Sequence, residues 1–347
     1  MTLEEATEAI KAPDEAAMQA AKAWWDSRAK LPGSLGALET MVIRLAGIQR
    51  TARPQALRKR AVVFCADNGV AAQGVTPSSV NVTADQAVNF VRGGGTINAF
   101  ARGCGAQVQV VDVGIATDYE EPGVLRRTIR RGTGDIAAGP AMTPEECRAA
   151  VETGIAAAAE AADEGIQIVI TGEMGIGNTT TSSAVAALLL DKPLETVTAR
   201  GAGTPERVAH KIEVLRRAIA LNQPDPGDPL DVLAKVGGLD IAALCGLYIG
   251  CAARGLAAFI DGVISGAAAL CAARLAPLSR EYMLPSHCSA EPAGRLLLEA
   301  LGFSPLITAG MCLGEGTGGA LGALLLDQAL AAYTDVVGIE DIGRENN

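Results

Sequence analysis

Two glycine-rich runs hold the residues best suited to chemistry. The first is Gly172-Glu-Met-Gly-Ile-Gly-Asn-Thr-Thr180, which follows the apolar stretch Ile166-Gln-Ile-Val-Ile170. Glycines carry no Cβ, so their amides can approach an anion closely. A helix starting at the end of the run would add free N–H groups and a positive dipole end. Asn178, Thr179 and Thr180 supply side-chain donors as well. The spacing G-x-x-G-x-G is not the dinucleotide fingerprint, and the absence of Gly-Lys-Ser/Thr excludes a P-loop. Taken alone, the run reads as an anion site or as a tight structural turn. The second run is Leu313-Gly-Glu-Gly-Thr-Gly-Gly319. A carboxylate at Glu315, set among glycines ahead of a helix, either complements the helix dipole or serves as a general base that a flat ring can approach.

Weaker candidates lie around these. Gly201-Ala-Gly-Thr204 is a small-residue turn before a helix that carries Lys211 about two turns in. Alone, Lys211 reads as a surface residue; beside the first run it reads as a phosphate ligand. His287 sits in Ser286-His-Cys-Ser-Ala-Glu-Pro292, where no Gly-x-Ser-x-Gly elbow accompanies it, so it reads as part of a polar loop. His210 reads as an ordinary helix residue, and Trp24-Trp25 as packing or an interface rather than a platform for a base. The cluster Arg126, Arg127, Arg130 and Arg131 reads as a solvated face, with a phosphate or subunit contact as the other reading.

Composition bounds the rest. The chain has 347 residues with 29 Lys+Arg against 39 Asp+Glu, a net charge of −10, so no attraction to nucleic acid or to an anionic membrane is expected. Aromatic residues make up only 3%, so the core must be aliphatic, with 40 glycines allowing close approach. Eight cysteines without a Cys-x-x-Cys pair, and only two histidines, exclude a zinc site of ordinary spacing. The cysteines read as small buried hydrophobes in a reducing compartment. Met1-Thr-Leu-Glu-Glu5 is no secretory signal, and the apolar zone 241–276 is interrupted by Arg254, Asp261 and Arg274, so a cytoplasmic protein without membrane spans is expected.

The elements that must position these residues alternate. The sequence predicts helix over 1–30, ended by Pro32-Gly33, then a helix capped by Ser34. A buried strand over 61–65 ends in the turn Asp67-Asn-Gly69. Thr83 is predicted to cap a helix to about Val91, Gly93–Gly95 to break it, and 96–103 to resume it. A second strand covers 108–113, and Thr143-Pro144 opens a helix to about Asp163. A third strand at 166–170 leads through a turn, 171–178, into helix 179–190. Helices follow at 205–221 and at 229–236, the loop Gly237-Gly-Leu-Asp240 opens another, and a last one runs to about Thr334. Strands alternating with helices indicate a parallel sheet covered by helices.

The motifs Lys30-Leu-Pro-Gly-Ser-Leu-Gly36, Asp67-Asn-Gly-Val70, Asn89-Phe-Val-Arg-Gly-Gly94, Gly172–Thr180, His287-Cys-Ser-Ala-Glu-Pro292 and Gly314-Glu-Gly-Thr-Gly318 occur in this order. The set resembles the nicotinate-nucleotide–dimethylbenzimidazole phosphoribosyltransferase family of the late cobalamin pathway. The resemblance implies an α/β fold with a mainly parallel, Rossmann-like sheet flanked by helices. It implies a large catalytic domain over 55–320 and a small helical domain from 1–54 plus 321–347. The implied reaction moves the 5-phosphoribosyl group of nicotinate mononucleotide to a lower-ligand base, with inversion and without a cofactor or metal. Glu315 would be the catalytic base. Glu173, Gly175 and Ile176 would lie by the nicotinate and ribose. Gly177, Asn178, Thr179, Thr180, Gly203 and Lys211 would hold the phosphate. Asn68, Thr76, Asp85, Gln86 and Leu313 would line the acceptor-base pocket. The chain departs from the family pattern at Asn68, Ser78-Ser79 and Ala84-Asp85-Gln86, so dimethylbenzimidazole, another benzimidazole, a purine or a phenol are all candidate acceptors. A homodimer is implied, with a heteromer of paralogues as the alternative. The rival readings are a non-catalytic subunit of such a transferase and a dinucleotide-dependent oxidoreductase.

Overall fold

Aliphatic β-branched runs form the central strands, and helices rich in alanine and glycine cover them. The computed structural model describes residues 1–201 and 203–342; Ala202 of the small-residue turn, and 343–347 of the expected helical domain, lie outside the described residues. The chain begins with α1 (Leu3–Ala9), α2 (Glu15–Asp26) and α3 (Ala37–Gln49). Next come β1 (Lys59–Ala66), α4 (Asn81–Val91), α5 (Thr96–Gly103), β2 (Ala106–Gly114) and a two-residue β3 (Leu125–Arg126). Helix α6 (Pro144–Asp163) leads to β4 (Ile168–Met174), α7 (Asn178–Leu190), α8 (Leu194–Val197), α9 (Pro205–Asn222), α10 (Pro229–Val236) and α11 (Leu239–Arg254). The chain continues through β5 (Ala257–Phe259), α12 (Val263–Leu275), β6 (Met283–Leu284), α13 (Ala293–Ala300) and α14 (Thr317–Asp335).

The strand order is β3-β2-β1-β4-β5-β6, and each neighbouring pair is parallel. This is the doubly wound order expected of a Rossmann-like sheet. The chain leaves β1 toward β2 on one side and returns at β4 on the other. A crevice therefore opens at the carboxyl ends of β1 and β4, the usual place for a ligand in such sheets.

Several local expectations are corrected. The first thirty residues are two helices, because Pro13 interrupts them and Asp14 starts the second by accepting from the Ala17 amide at 2.8 Å. Ser34 does not cap α3. Gly36 holds that position at φ 56°, and Glu39 reaches back to accept the Leu35 amide. Thr83 does not cap α4, which begins two residues earlier. Its buried hydroxyl instead donates to Asp67 and accepts from the Ile176 amide. Gly172 and Glu173 lie in β4 rather than in the following turn, since pairing of Val63 with Gly172 and of Phe64 with Glu173 extends the strand.

Helix α11 forms the centre of the molecule, with every residue from Leu239 to Ala252 buried. It presses on α6 so closely that a Cβ at Gly246 would overlap the Val151 carbonyl, and one at Gly154 would overlap the Ala243 carbonyl. Seven cysteines are buried as expected, and Cys312 is exposed. Trp25 is fully buried edge-on to Tyr333 at 5.0 Å, and Trp24 Nε1 donates to the Tyr333 carbonyl, so the tandem tryptophans tie α2 to α14. The far C-terminal segment joins the same region: Ala29 donates to the Val337 carbonyl and Ile339 to the Ser27 carbonyl. Among the described residues no helix is long and apolar enough to cross a membrane.

Gly246→Ala should destabilise the protein even though alanine favours helix. The forced separation of α6 and α11 should cost about 1–3 kcal/mol in urea unfolding, against a propensity gain of about 1 kcal/mol or less.

Candidate active site

The carboxyl ends of β1, β4 and β5 meet the starts of α5, α7, α11 and α14. At the last of these, Gly314, Glu315 and Gly316 have φ of 88°, 62° and 98°. Glycine adopts this left-handed region freely, whereas glutamate does so rarely, and such conformations concentrate at functional sites. The bend passes directly over β4, because a Cβ at Gly172 would overlap the Glu315 carbonyl. It throws the Glu315 side chain toward α5, where Oε2 accepts from the Ile97 amide at 3.0 Å. Burial raises the proton affinity of Glu315, the amides of Ile97 and Thr96 oppose that rise, and the charge of Asp261 adds to it.

Glu173 lies beside this bend. Its Oε1 accepts from the Glu315 amide at 3.4 Å, and its Oε2 accepts from Asn178 Nδ2. The same Nδ2 donates to Asp240 Oδ2 at 3.0 Å, so one amide group bridges two buried carboxyls. Burial, then the charge of Asp240, pushes the Glu173 carboxyl up to about 8, with Asn178 opposing. Burial raises Asp240 to about 6 against the hydrogen bonds from Asn178 and from the Ile241 amide. Glycines make room for these carboxyls. A Cβ at Gly175 would lie 2.7 Å from Asp240 Oδ2, and one at Gly314 would overlap Glu173 Oε1.

A fourth acid, Asp261, follows β5. It is 4% exposed and accepts from the amides of Gly316, Gly318 and Gly319 at 3.1, 2.7 and 3.1 Å. The start of α14 is thus taken up by a side chain of the protein itself. Across the cleft, Lys211 is buried rather than exposed, contrary to the reading of it as a lone surface lysine. Its Nζ donates to Thr179 Oγ1 at 3.0 Å and to the carbonyls of Ala199 and Arg200 at 3.2 Å each. Burial lowers its pKa to about 8. Glu291 accepts from the amides of Arg200 and Gly201 at 2.6 and 2.8 Å and so fixes the same loop. Together Glu173, Thr179, Asp261, His287, Glu291 and Leu313 border a narrow cleft of about 30 Å³.

The expected site residues fall into three groups. Glu173, Thr179 and Leu313 border the cleft, with Glu315 adjoining through Gly314 and Lys211 bonded to Thr179. Gly175, Ile176 and Gly177 are buried in the turn between β4 and α7, Asn178 is buried as the first residue of α7, and Gly203 abuts the Arg200 carbonyl. Thr180 is fully buried, and its hydroxyl has no partner among the described residues. Successive helix residues step by about 100°, and here Thr179 borders the cleft while Thr180 turns into the interior. Of the expected base-pocket residues, Asn68 is buried and accepts from Thr181 Oγ1, while Thr76 is half-buried and accepts from the Ser78 amide. Asp85 is exposed, and Gln86 accepts from Asn89 Nδ2. None of these four borders the cleft beside Glu173.

The sequence reading missed Asp240, Asp261 and Glu291. Asp261 interrupts an apolar zone just after a strand, Asp240 opens an apolar helix after two glycines, and Glu291 lies within a motif already noted. A charge in an otherwise apolar run was the available signal.

Glu173→Gln tests the buried acid. Its folded pKa lies above the ordinary value of 4.5, so the native state binds the extra proton between those values and wild-type stability falls as pH rises toward 8. The variant should lose less stability than wild type between pH 5 and 8, by more than about 1 kcal/mol in urea unfolding. Equal losses would mean that Glu173 ionises normally.

Comparison with known proteins agrees with this geometry. A family model described as phosphoribosyltransferase matches residues 10–343. The nicotinate-nucleotide–dimethylbenzimidazole phosphoribosyltransferase of Ruminiclostridium cellulolyticum is 46% identical over 97% of this chain and 96% of its own length. The enzyme of that name from Geobacter sulfurreducens is 45% identical over 98% of this chain and 97% of its own. The crystal structure of the Thermus thermophilus enzyme superposes with a TM-score of 0.89 at 39% identity, covering 96% of this chain and all of that one. With its motifs, strand order and full-length relatives in accord, the chain belongs to the nicotinate-nucleotide–dimethylbenzimidazole phosphoribosyltransferase family.

Proposed function

We propose that this protein transfers the 5-phosphoribosyl group of nicotinate mononucleotide to a ring nitrogen of dimethylbenzimidazole or a related base, for cobamide assembly. The observation that carries the mechanism is Glu315, fixed at both ends beside the cleft. A ring nitrogen of the acceptor attacks the anomeric carbon, and the bond from that carbon to the pyridinium nitrogen breaks. Its electron pair stays with the leaving ring, which becomes neutral and departs as nicotinate. The acceptor's N–H proton passes to the Glu315 carboxylate. A proton affinity raised by burial makes Glu315 a better base than an exposed glutamate. The pyridinium is already activated by its charge, so the remaining work is positioning and one proton transfer.

Glu173, Gly175 and Ile176 are proposed to face the nicotinate and ribose. The phosphate is proposed to lie near Thr179, Lys211 and the loop that ends at Gly203, with Gly177, Asn178 and Thr180 shaping the turn behind it. Leu313 would rest against the acceptor ring beside Glu315, while Asn68, Thr76, Asp85 and Gln86 would influence acceptor choice from outside the cleft. A homodimer is proposed as well. The exposed apolar residues Leu31, Leu35, Val337 and Ile339 on the joined terminal segments support it.

Glu315→Gln should lower turnover by about 10²–10⁴-fold and leave nicotinate mononucleotide binding in place by calorimetry. An unchanged rate would remove Glu315 from the mechanism. Incubation with nicotinate mononucleotide and a panel of benzimidazoles, purines and phenols, read by mass spectrometry, should yield riboside phosphates. No product with any acceptor would refute the transferase reading. Sedimentation velocity should give twice the 35.4 kDa chain mass; a monomer would refute the dimer.

A further inference from the structure

We propose that Asp261 positions Glu315 for proton transfer by seating its carboxylate in the first turn of α14, an inference that rests on the reading of Glu315 as the base. A helix start is ordinarily capped by the residue at its own N-cap, as Thr143 caps α6 by accepting from Glu146. The N-cap of α14 is Gly316, which has no side chain. Its cap comes instead from Asp261, more than fifty residues earlier in the chain, and takes three amides rather than one.

One of those amides belongs to Gly316, the residue immediately after Glu315. The amide of Glu315 itself donates to Glu173. The main chain is therefore held on both sides of the Glu315 Cα, within a bend whose three residues are all left-handed. The far end of the side chain is held by the Ile97 amide. Removing the Asp261 carboxylate frees Gly316 to rotate, and the Glu315 Cα–Cβ direction turns with it.

Asp261 is itself fixed. Its amide donates to Ser265 Oγ at 3.0 Å, and that oxygen lies 2.7 Å from Thr171 Oγ1 and 2.6 Å from the Tyr248 hydroxyl. Thr171 also donates to the Phe259 carbonyl at 2.8 Å. A fully buried hydroxyl cluster between β4, β5, α11 and α12 thus registers Asp261, and through it Glu315, against the sheet. The glycines after the bend share in this. A Cβ at Gly318 would overlap the His287 ring, and one at Gly319 would lie 2.8 Å from Ile170 Cγ2.

Asp261 also acts on Glu315 by its charge. The titratable groups that face Glu315 are Glu173 from β4 and Asp261 from the turn after β5, whereas the first turn of α5 offers amides and the uncharged Thr96, Ile97 and Asn98. A like charge from Asp261 raises the proton affinity of Glu315. A base must be unprotonated to act, and burial is the larger cause of the raised proton affinity, so this charge adds to burial in moving the pH at which activity is lost.

The test compares Asp261→Asn with Glu315→Gln in the full-length protein. Asp261→Asn should lower kcat by about 10–100-fold, as expected for a misplaced reacting group, with KM for nicotinate mononucleotide changed by less than about twofold. The acid limb of its kcat–pH profile should move to lower pH. If Glu315→Gln retains wild-type turnover, the base reading fails, and this inference fails with it. If Glu315→Gln is inactive while Asp261→Asn shows wild-type kcat, the base reading stands and the role of Asp261 is overturned. A lower kcat with an unmoved acid limb overturns it also, because loss of a plain structural cap leaves the limb in place. Should Asp261→Asn not fold, Ser265→Ala decides. It keeps the charge but loosens Asp261, so a severalfold lower kcat with the limb unmoved supports the role, and a wild-type kcat overturns it.

Discussion

Everything at this site depends on burying several carboxyls around the carboxyl end of the sheet with little cationic help. Glu173, Asp240, Asp261, Glu291 and Glu315 are each satisfied chiefly by backbone amides or by the Asn178 side chain. The nearby cation, Lys211, spends its donors on Thr179 and two carbonyls. Two unit charges about 4 Å apart repel by roughly 4 kcal/mol at an effective dielectric near 20. The Asn178 amide links Glu173 and Asp240, and burial raises the proton affinity of both, so the pair eases its conflict by holding a proton that two exposed carboxyls would have released. The two carboxyls titrate as a unit rather than separately.

That constraint explains where the glycines fall. Gly175 and Gly314 leave room for carboxyl oxygens, Gly172 leaves room for the chain that crosses β4, and Gly318 leaves room for the His287 ring. The glycine-rich runs suggested amides laid bare for an anion. In the structure many of those amides already serve the protein's own acids, with Asp261 at α14 and Glu291 at the loop 199–201. A carboxylate and a phosphate ask the same thing of a helix start or a loop amide, so the sequence pattern alone does not distinguish them.

The legible parts of the chain were those with local causes. β1, β2 and β4 are long apolar runs and were placed within a few residues. β3 and β6 have two residues each and β5 has three, too short to show a period of two. Glu315 stood out because its glycine neighbours are adjacent in sequence. Asp261 and Asp240 did not, because the partners that give them meaning lie 55 to 62 positions away. Ser34 and Thr83 had the composition of caps, but Glu39 and Asp67 claimed the relevant bonds. Taken alone Lys211 reads as a surface lysine, and only beside the first glycine-rich run as a phosphate ligand, because its local sequence does not reveal the two carbonyls and the hydroxyl that bury its ammonium.

The net charge of −10 can now be set against an anionic substrate. Long-range attraction is not available, so binding must come from short-range donors in a desolvated pocket, where their strength is greatest and salt screening least. Moving a proton from acceptor to Glu315 removes one negative charge from the same pocket at the moment the pyridinium loses its positive charge. The substrate side and the protein side therefore change in compensating directions, and the cleft's total charge does not change. A cleft of shared protons and fixed amides needs little reorganisation for such a step, which favours electrostatic preorganisation over a mobile cation.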